Sequence, residues 1–503
     1  MTQTTRMGLW LLPAALGIGL AGDGLLRATP WGVNVLLWIG LLLGLFWLLA
    51  RRSEFQPSGE RIWLGEGIWL GVPALVLAAC LAWRDSGTLR AVDVCGLVSC
   101  LGVGAARTQA GQIRLAGLLE YAGEIARSVL QAVFGVFPLL FREIRWDTVP
   151  RRGWLPRIIA VGRGLVLVLP LLLLFGALLS AADAVYQKLI NRAFHFDTDV
   201  LLGHFFWTLG FAWLTAGFGR TLFLLEKPGR EGEPRFKLPA LGAVETGTML
   251  GLLNLLFLSF VLVQIRYFFG GAAMVSATAG LTYTQYARSG FFELVWVAAL
   301  VLPLLLGLHR LQNAADARAL RLFSAQAAVQ VALLFVILAS AMMRMRLYQE
   351  ACGLTELRLY TMAFMGWLAV VFAWFVVTVL RGRREHFAFG AVAAAFGLIL
   401  GLHIANPDAL IVRVNAARAV KTHVFDADYA ATLSADAVPS LVAALPGLPP
   451  AAQGQIAANL LPLWVQDNDD WRSWNWGRMS AFHAVQSRQK TLQASTLPRK
   501  ASL

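Results

Sequence analysis

The chain has 503 residues, of which 58% are hydrophobic and only 14% charged, and its formal net charge is +14. A soluble globular chain carries about 25% charged residues, so this composition excludes an ordinary water-soluble domain and makes lipid the main solvent. The basic residues lie between apolar runs, as in the connections of membrane proteins, which argues against a nucleic-acid partner. Cys80, Cys95, Cys100 and Cys352 lie in or beside apolar runs without C-x-x-C spacing, so neither disulfides nor a cysteine metal site is expected.

A hydrocarbon core of about 30 Å needs about 20 apolar residues per helix. By that criterion the chain predicts eleven spans, near 7–26, 31–50, 62–83, 91–106, 158–182, 200–224, 241–267, 290–308, 322–344, 357–380 and 386–404. The first follows Arg6 and weakly resembles a signal peptide, but its single charge and the many later spans favour an uncleaved helix. The fourth is the shortest and contains Asp93. With the N-terminus in the cytoplasm, 23 Lys and Arg residues fall inside, ten in outside connections and nine in the tail after Asn406. Dropping the fourth span would throw the eight arginines of 107–157 outside, against the positive-inside bias. The expected organisation is an all-α polytopic bundle. It divides into a four-span region (1–106), a cytoplasmic segment (107–157), a seven-span core (158–404), a periplasmic or extracellular helical tail (405–490) and a disordered end (491–503).

Within 107–157, Glu120, Glu124, Arg127 and Gln131 share one helical stripe, and Leu115, Leu118, Ala122, Ile125 and Val129 lie opposite. This predicts an amphipathic helix on the cytoplasmic face or under the bundle, serving as an interfacial anchor or, at 111–131, as a docking face for a cytoplasmic partner. Lys227–Pro239 reads as a solvated loop, and Gly270–Gly280 as a loop or a re-entrant segment. In His403–Lys421 the last apolar run gives way to polar sequence, with Asn406 as N-cap and Pro407 in the first turn. Short tail helices are expected at Ser434–Leu445, Ala451–Val465 and Trp471–Gln489. Trp471, Trp474 and Trp476 suit either a packed mini-core or an interfacial belt.

Gly17, Gly19 and Gly22 form G-x-G-x-x-G, but inside an apolar span this signals helix packing, as do the pairs Gly40/Gly44 and Gly67/Gly71. No hydrolase, zinc-protease or Walker motif occurs, and nothing near His195 and His204 has metal-ligand spacing; no metal or cofactor is expected. Asp23, Glu66, Asp93, Arg163 and Glu245 are ionisable residues within or near spans and are candidates for a functional role for that reason. Arg266, Tyr283, Tyr286, Arg288, Glu293, Tyr348 and Arg358 fall in connections predicted to share a face with Asn406, Asp408, Arg413 and Asn415. Such a set suits a forked-donor site for an anionic lipid or envelope component, or else a structural network tying loops to the bundle.

The stretches RYFFGG, TYTQYARSGFFELV, RLYQEACGLTELRLYT and NPDALIVRVNAAR resemble, in order, a bacterial multi-pass inner-membrane family of unknown function, of the domain of unknown function 4153/4173 type. The likeness runs over about Leu165–Arg478 and implies a bundle followed by a small helical tail, with no activity to carry over. Three functional readings follow: binding or transport of an anionic amphiphile at the Arg/Tyr site, a sensor or scaffold coupling the tail to a cytoplasmic partner, and a membrane-embedded transferase using Glu293 and Asp408 as acid and base.

Overall fold

The computed structural model of the chain describes residues 2–51, 67–110, 118–148, 198–225, 242–279, 291–312, 317–464 and 470–496. In lipid every backbone N–H and C=O must be bonded within its own segment, so the apolar runs become helices. They are α1 (Gln3–Leu26), α2 (Val33–Ala50), α3 (Gly67–Trp83), α4 (Gly87–Ala110), α5 (Leu118–Phe134), α6 (Thr198–Phe223), α7 (Ala243–Ala279), α8 (Phe291–Leu311), α9 (Ala317–Cys352), α10 (Glu356–Thr378) and α11 (Phe387–Ala405). The tail adds α12 (Pro407–Thr422), α13 (Ala427–Thr432), α14 (Val438–Ala444), α15 (Pro450–Trp464), α16 (Trp476–Ser487) and α17 (Gln489–Thr496).

Eight described helices are long and apolar enough to cross a membrane, or nine if the bent pair Tyr121–Phe134 and Val136–Glu143 is one span. Eight of the eleven expected spans correspond to these, including the fourth, which runs Gly87–Ala105. Of the run near 62–83 the described residues form α3, with Leu70–Trp83 as a shorter apolar helix, α6 forms but is not among the eight, and 158–182 lies outside the described residues. Gly270–Ala279 is not a loop: α7 continues through it for 37 residues, about 55 Å at 1.5 Å per residue.

The helix from 118 onward is two-faced as expected and packs on the bundle, with large apolar side chains on its outward face. Tyr121, Ser128 and Gly135 turn inward, while Val129, Leu130, Val133 and Phe134 point out. Ser128 Oγ donates to the Gly102 carbonyl at 2.8 Å, and Gly102 lies directly under Ile125. Small and polar residues inward with large apolar ones outward is the packing expected of a helix in lipid. At its end Arg220 of α6 donates to Glu143 Oε1 at 2.8 Å through Nε and to Gln131 Oε1 at 2.7 Å through a terminal nitrogen, so part of the expected polar stripe is spent inside the bundle.

Apolar side chains gather into three main cores. One joins α1, α2, α3, α4 and α6, a second joins α7 to α11, and a third lies within the tail. Val103, Tyr121 and Ala388 bridge the first two. The tail covers one end of the bundle: Val33 N donates to the Trp474 carbonyl (2.9 Å), Arg472 to the Gly24 carbonyl (2.7 Å), and Asn475 to the carbonyls of Leu81 (2.9 Å) and Arg84 (3.0 Å). At the opposite end, Thr5 Oγ1 donates to the Glu143 carbonyl at 3.2 Å. Trp471, Trp474 and Trp476 are 64%, 39% and 56% exposed beside the α1–α2 turn, so they form no packed mini-core.

Candidate functional site

The site lies where the tail meets the bundle, and its deepest element is a pair inside the spans. Asp93 of α4 and His403 of α11 are both buried, with His403 Nε2 3.0 Å from Asp93 Oδ2. His403 Nδ1 lies 2.9 Å from the Ile399 carbonyl, an acceptor, so that nitrogen carries hydrogen. One proton then sits between Nε2 and Oδ2, whether the pair is drawn as imidazolium and carboxylate or as imidazole and acid. Either way the unit has no net charge, which is how an ionisable side chain is tolerated in lipid. α4 and α11 come from the two halves of the bundle, so this pair also joins them.

Above it, Arg84 caps the end of α3. Its Nε donates to the His403 carbonyl at 2.9 Å and its terminal nitrogen lies 3.7 Å from Asp436 Oδ1. Asp436 belongs to the tail and accepts backbone N–H groups from Asp85 (2.6 Å) and Ser86 (3.1 Å) through Oδ2. Asp85 in turn pairs with Arg90 (2.6 Å) and with Arg478 of α16 (2.5 Å). Ser86 Oγ and Tyr360 Oη are 3.3 Å apart. Asp408, wholly buried in the first turn of α12, accepts from Ser434 Oγ at 2.5 Å. Burial pushes the carboxyls of both Asp408 and Asp436 above the ordinary range. Hydrogen bonds from Ser434 oppose the shift at Asp408, and the Asp85 amide and Arg84 oppose it at Asp436.

The local sequence explains these placements. Asn406 adopts the left-handed conformation (φ 52°), closing α11, and its side chain accepts from Ala409 N at 3.2 Å to open α12. Asparagine is among the few non-glycine residues that tolerate this region, and proline follows where no N–H is needed. Gly353 (φ 82°) makes the corresponding turn before α10.

Of the expected site residues, Arg266 lies in α7 with its side chain outside the described set, and Tyr283, Tyr286 and Arg288 lie outside the described residues altogether. Glu293 is exposed in the first turn of α8. Arg358 stacks over the Tyr348 ring (4.0 Å) and donates to the Gly353 carbonyl. Asn415 grips the Leu354 backbone twice, accepting at 2.7 Å and donating at 2.8 Å. Asn406 donates to the Asp436 carbonyl at 3.4 Å. Arg413 is exposed, with Nε turned back to the Ala409 carbonyl at 3.2 Å. Of the described members only Asn415 ties a loop to the tail, Asn406 and Asp408 bond within the tail and Arg358 within its own turn, and Arg84, Asp85, Ser86, Tyr360, Ser434, Asp436, Asn475 and Arg478 are the partners that sequence reasoning misses. A signal exists in the polar triplet Arg84–Asp85–Ser86 between two apolar runs and in the Ser434-x-Asp436 capping pattern.

Asp23 is 2.5 Å from His204 at the ends of α1 and α6, Glu245 is exposed, and Glu66 and Arg163 lie outside the described residues. Among the described residues no group of three or more His, Cys, Asp or Glu is placed to hold a metal. The network joins the membrane helices to the tail through paired charges and hydrogen bonds. No curated protein and no solved structure matches the chain. A family model does match, over residues 71–444, a stretch that begins in α3 and so takes in both Asp93 and His403 as well as Asp408 and Asp436. The chain therefore belongs to the family described as a domain of unknown function, DUF4153.

Proposed function

We propose that this multi-pass membrane protein is a sensor or scaffold in which the helical tail and the membrane helices report on each other's state. The observation that carries the reading is the run of polar contacts from Asp93 through His403 and Arg84 to Asp436, from the interior of a span to the tail. A buried polar network of this kind has few alternative arrangements, because each member left unpaired costs free energy. α1 extends the path: near its outer end Gly24 receives Arg472 of the tail, and at its other end Thr5 bonds to the Glu143 carbonyl. A ligand or partner on the tail would act by preferring one arrangement of this junction.

The test is hydrogen exchange on the full chain in lipid nanodiscs, comparing it with Arg84→Gln. The variant is expected to speed exchange in the tail and also at 139–148, at the far end of α1. Faster exchange in the tail with 139–148 unchanged would reduce the tail to an attached domain and refute the coupling.

A second reading, capture of an anionic amphiphile or envelope component, draws support from the exposed Arg413 on the tail-covered end of the bundle. It predicts that an anionic lipid raises the melting temperature of the chain and that Arg413→Gln abolishes the rise. The transferase reading is weaker, because Asp408 is wholly buried against Ser434.

A further inference from the structure

The first two helices leave a trough along the flank of the bundle, apart from the site under the tail. It is an open groove of about 590 Å³, lined by Pro13, Ile18, Leu41, Leu45, Trp47 and Leu48. Gly17, Gly40 and Gly44 form its floor: among the described residues, a methyl group added at any of them would meet nothing within 4 Å. The glycines of α1 thus have two uses. At Gly19 an added carbon would collide with the Thr208 carbonyl and Ala212, and at Gly22 with Phe211 and Trp38, which is helix packing as expected from the sequence. The floor glycines keep space open instead.

At one end of the trough the Arg51 guanidinium lies 3.5 Å over the ring of Trp47. Stacking holds the planar group by its face and leaves its edge able to donate two parallel hydrogen bonds, the geometry that suits a phosphate. Tryptophan and arginine together mark the level of lipid headgroups. From Arg51 to Gly40 is about 16 Å along the helix at 1.5 Å per residue. Half of a hydrocarbon core is about 15 Å, so the trough has the length of one leaflet. Its volume falls within the range of small-molecule sites, about 300–1,000 Å³. A flexible hydrocarbon chain suits an apolar trough floored by glycine, and the Arg51 cation at its end favours an anionic headgroup.

We propose that this trough binds one acyl chain of an anionic phospholipid, with the lipid phosphate held by Arg51. The test uses the full chain in phosphatidylcholine nanodiscs doped with phosphatidylglycerol or phosphatidylcholine bearing a photoreactive diazirine on one acyl chain, and reads crosslinked peptides by mass spectrometry. Adducts are expected on 13–18 and 40–48, more with phosphatidylglycerol than with phosphatidylcholine. Gly40→Leu/Gly44→Leu fills the floor and should lower those adducts roughly tenfold, the equivalent of about 1.4 kcal/mol, relative to adducts on the exposed Leu252, Leu255 and Leu256 of α7. Arg51→Gln should keep the adducts and erase the headgroup preference. Unchanged adducts in the filled variant, or equal labelling by the two lipids in the parent chain, would overturn the proposal. Disulfide formation between copies carrying Leu41→Cys would instead assign the trough to a second copy. Should the double leucine variant fail to fold, Gly17→Leu fills the trough from the other helix and gives the same reading.

Discussion

The tail and the membrane helices solve the same problem, burying a helix, under opposite solvents. In the tail, five helices or 3-10 turns are opened by a side chain, Asn406, Asp426, Ser434, Asp470 and Asn475 each accepting a backbone N–H, while α14 opens without one. Among the membrane helices α1 is capped by Thr2, whereas α2, α10 and α11 start without such a cap. The tail turns its Leu, Val and Ala inward, whereas α7 turns Leu252, Leu255 and Leu256 outward at 62–64% exposure. Water rewards apolar burial and lipid does not, so the specificity of the bundle rests on packing and on a few buried polar contacts. The junction belongs to neither regime, and the buried carboxylates Asp408 and Asp436 gather there.

The contrast breaks most severely if the intramembrane pair is split. His403→Leu, which leaves Asp93 without its partner, is expected to cost about 3–5 kcal/mol, and Asp93→Leu/His403→Leu much less than the sum of the single changes. Denaturation in detergent measures all three, and simple additivity would show that the pair does not act as a unit. Asp436→Asn comes next, because it removes the partner of Arg84 and weakens acceptance from two backbone amides; about 1.5–3 kcal/mol of the tail's attachment should be lost. Protease release of the tail from nanodiscs would report it.

The same carboxylates give the junction an inverted acid response. Asp408 and Asp436 titrate above their ordinary value of 3.8, chiefly because they are buried. The folded state therefore binds protons more tightly than the unfolded state, and stability is lost as pH rises through the raised values. Asp436 faces Arg84, Asp85 and Asp408, and Asp408 faces Ser434, Asp85, Arg84 and Glu356. Docking of the tail should tighten as pH falls from neutral toward that window, and hydrogen exchange at Ser434–Val438 as a function of pH would show it. An attachment that weakens steadily over the same range would mean that the ion pairs dominate.

Smaller effects sharpen the comparison between the two solvents. Gly353→Ala meets both a left-handed backbone (φ 82°) and the Asn415 amide, and should cost about 1 kcal/mol or more in thermal unfolding. Gly40→Ala, with open space around it, should leave the melting temperature almost unchanged, while Gly19→Ala, pressed against α6, should lower it.

Much of this architecture is legible in the sequence because lipid imposes a one-dimensional rule. A helix that must bond its own backbone and face hydrocarbon announces itself by a long apolar run, which is why Gly87–Ala105 stands out despite Asp93. The cap at Asn406 and Pro407 is equally plain, since capping is a local contest between side chain and backbone. The site is legible only in part. Asn406, Asp408, Arg358 and Asn415 stand out in the sequence, but as ligands for something outside, whereas they bond to Asp436, Ser434, Gly353 and Leu354. Asp93 and His403 stand 310 positions apart, and nothing in periodicity or charge bias connects them. The apolar stripe of α5 suggests a face turned to the protein or the bilayer surface, because sequence period gives the faces of a helix but not which solvent each one meets. The sequence by itself determined most of the apolar helices, the cap at Asn406 and the polar tail. Only the tertiary structure decided which buried charge answers which, because a pairing across two helices is set by packing, and packing leaves no repeat in the chain.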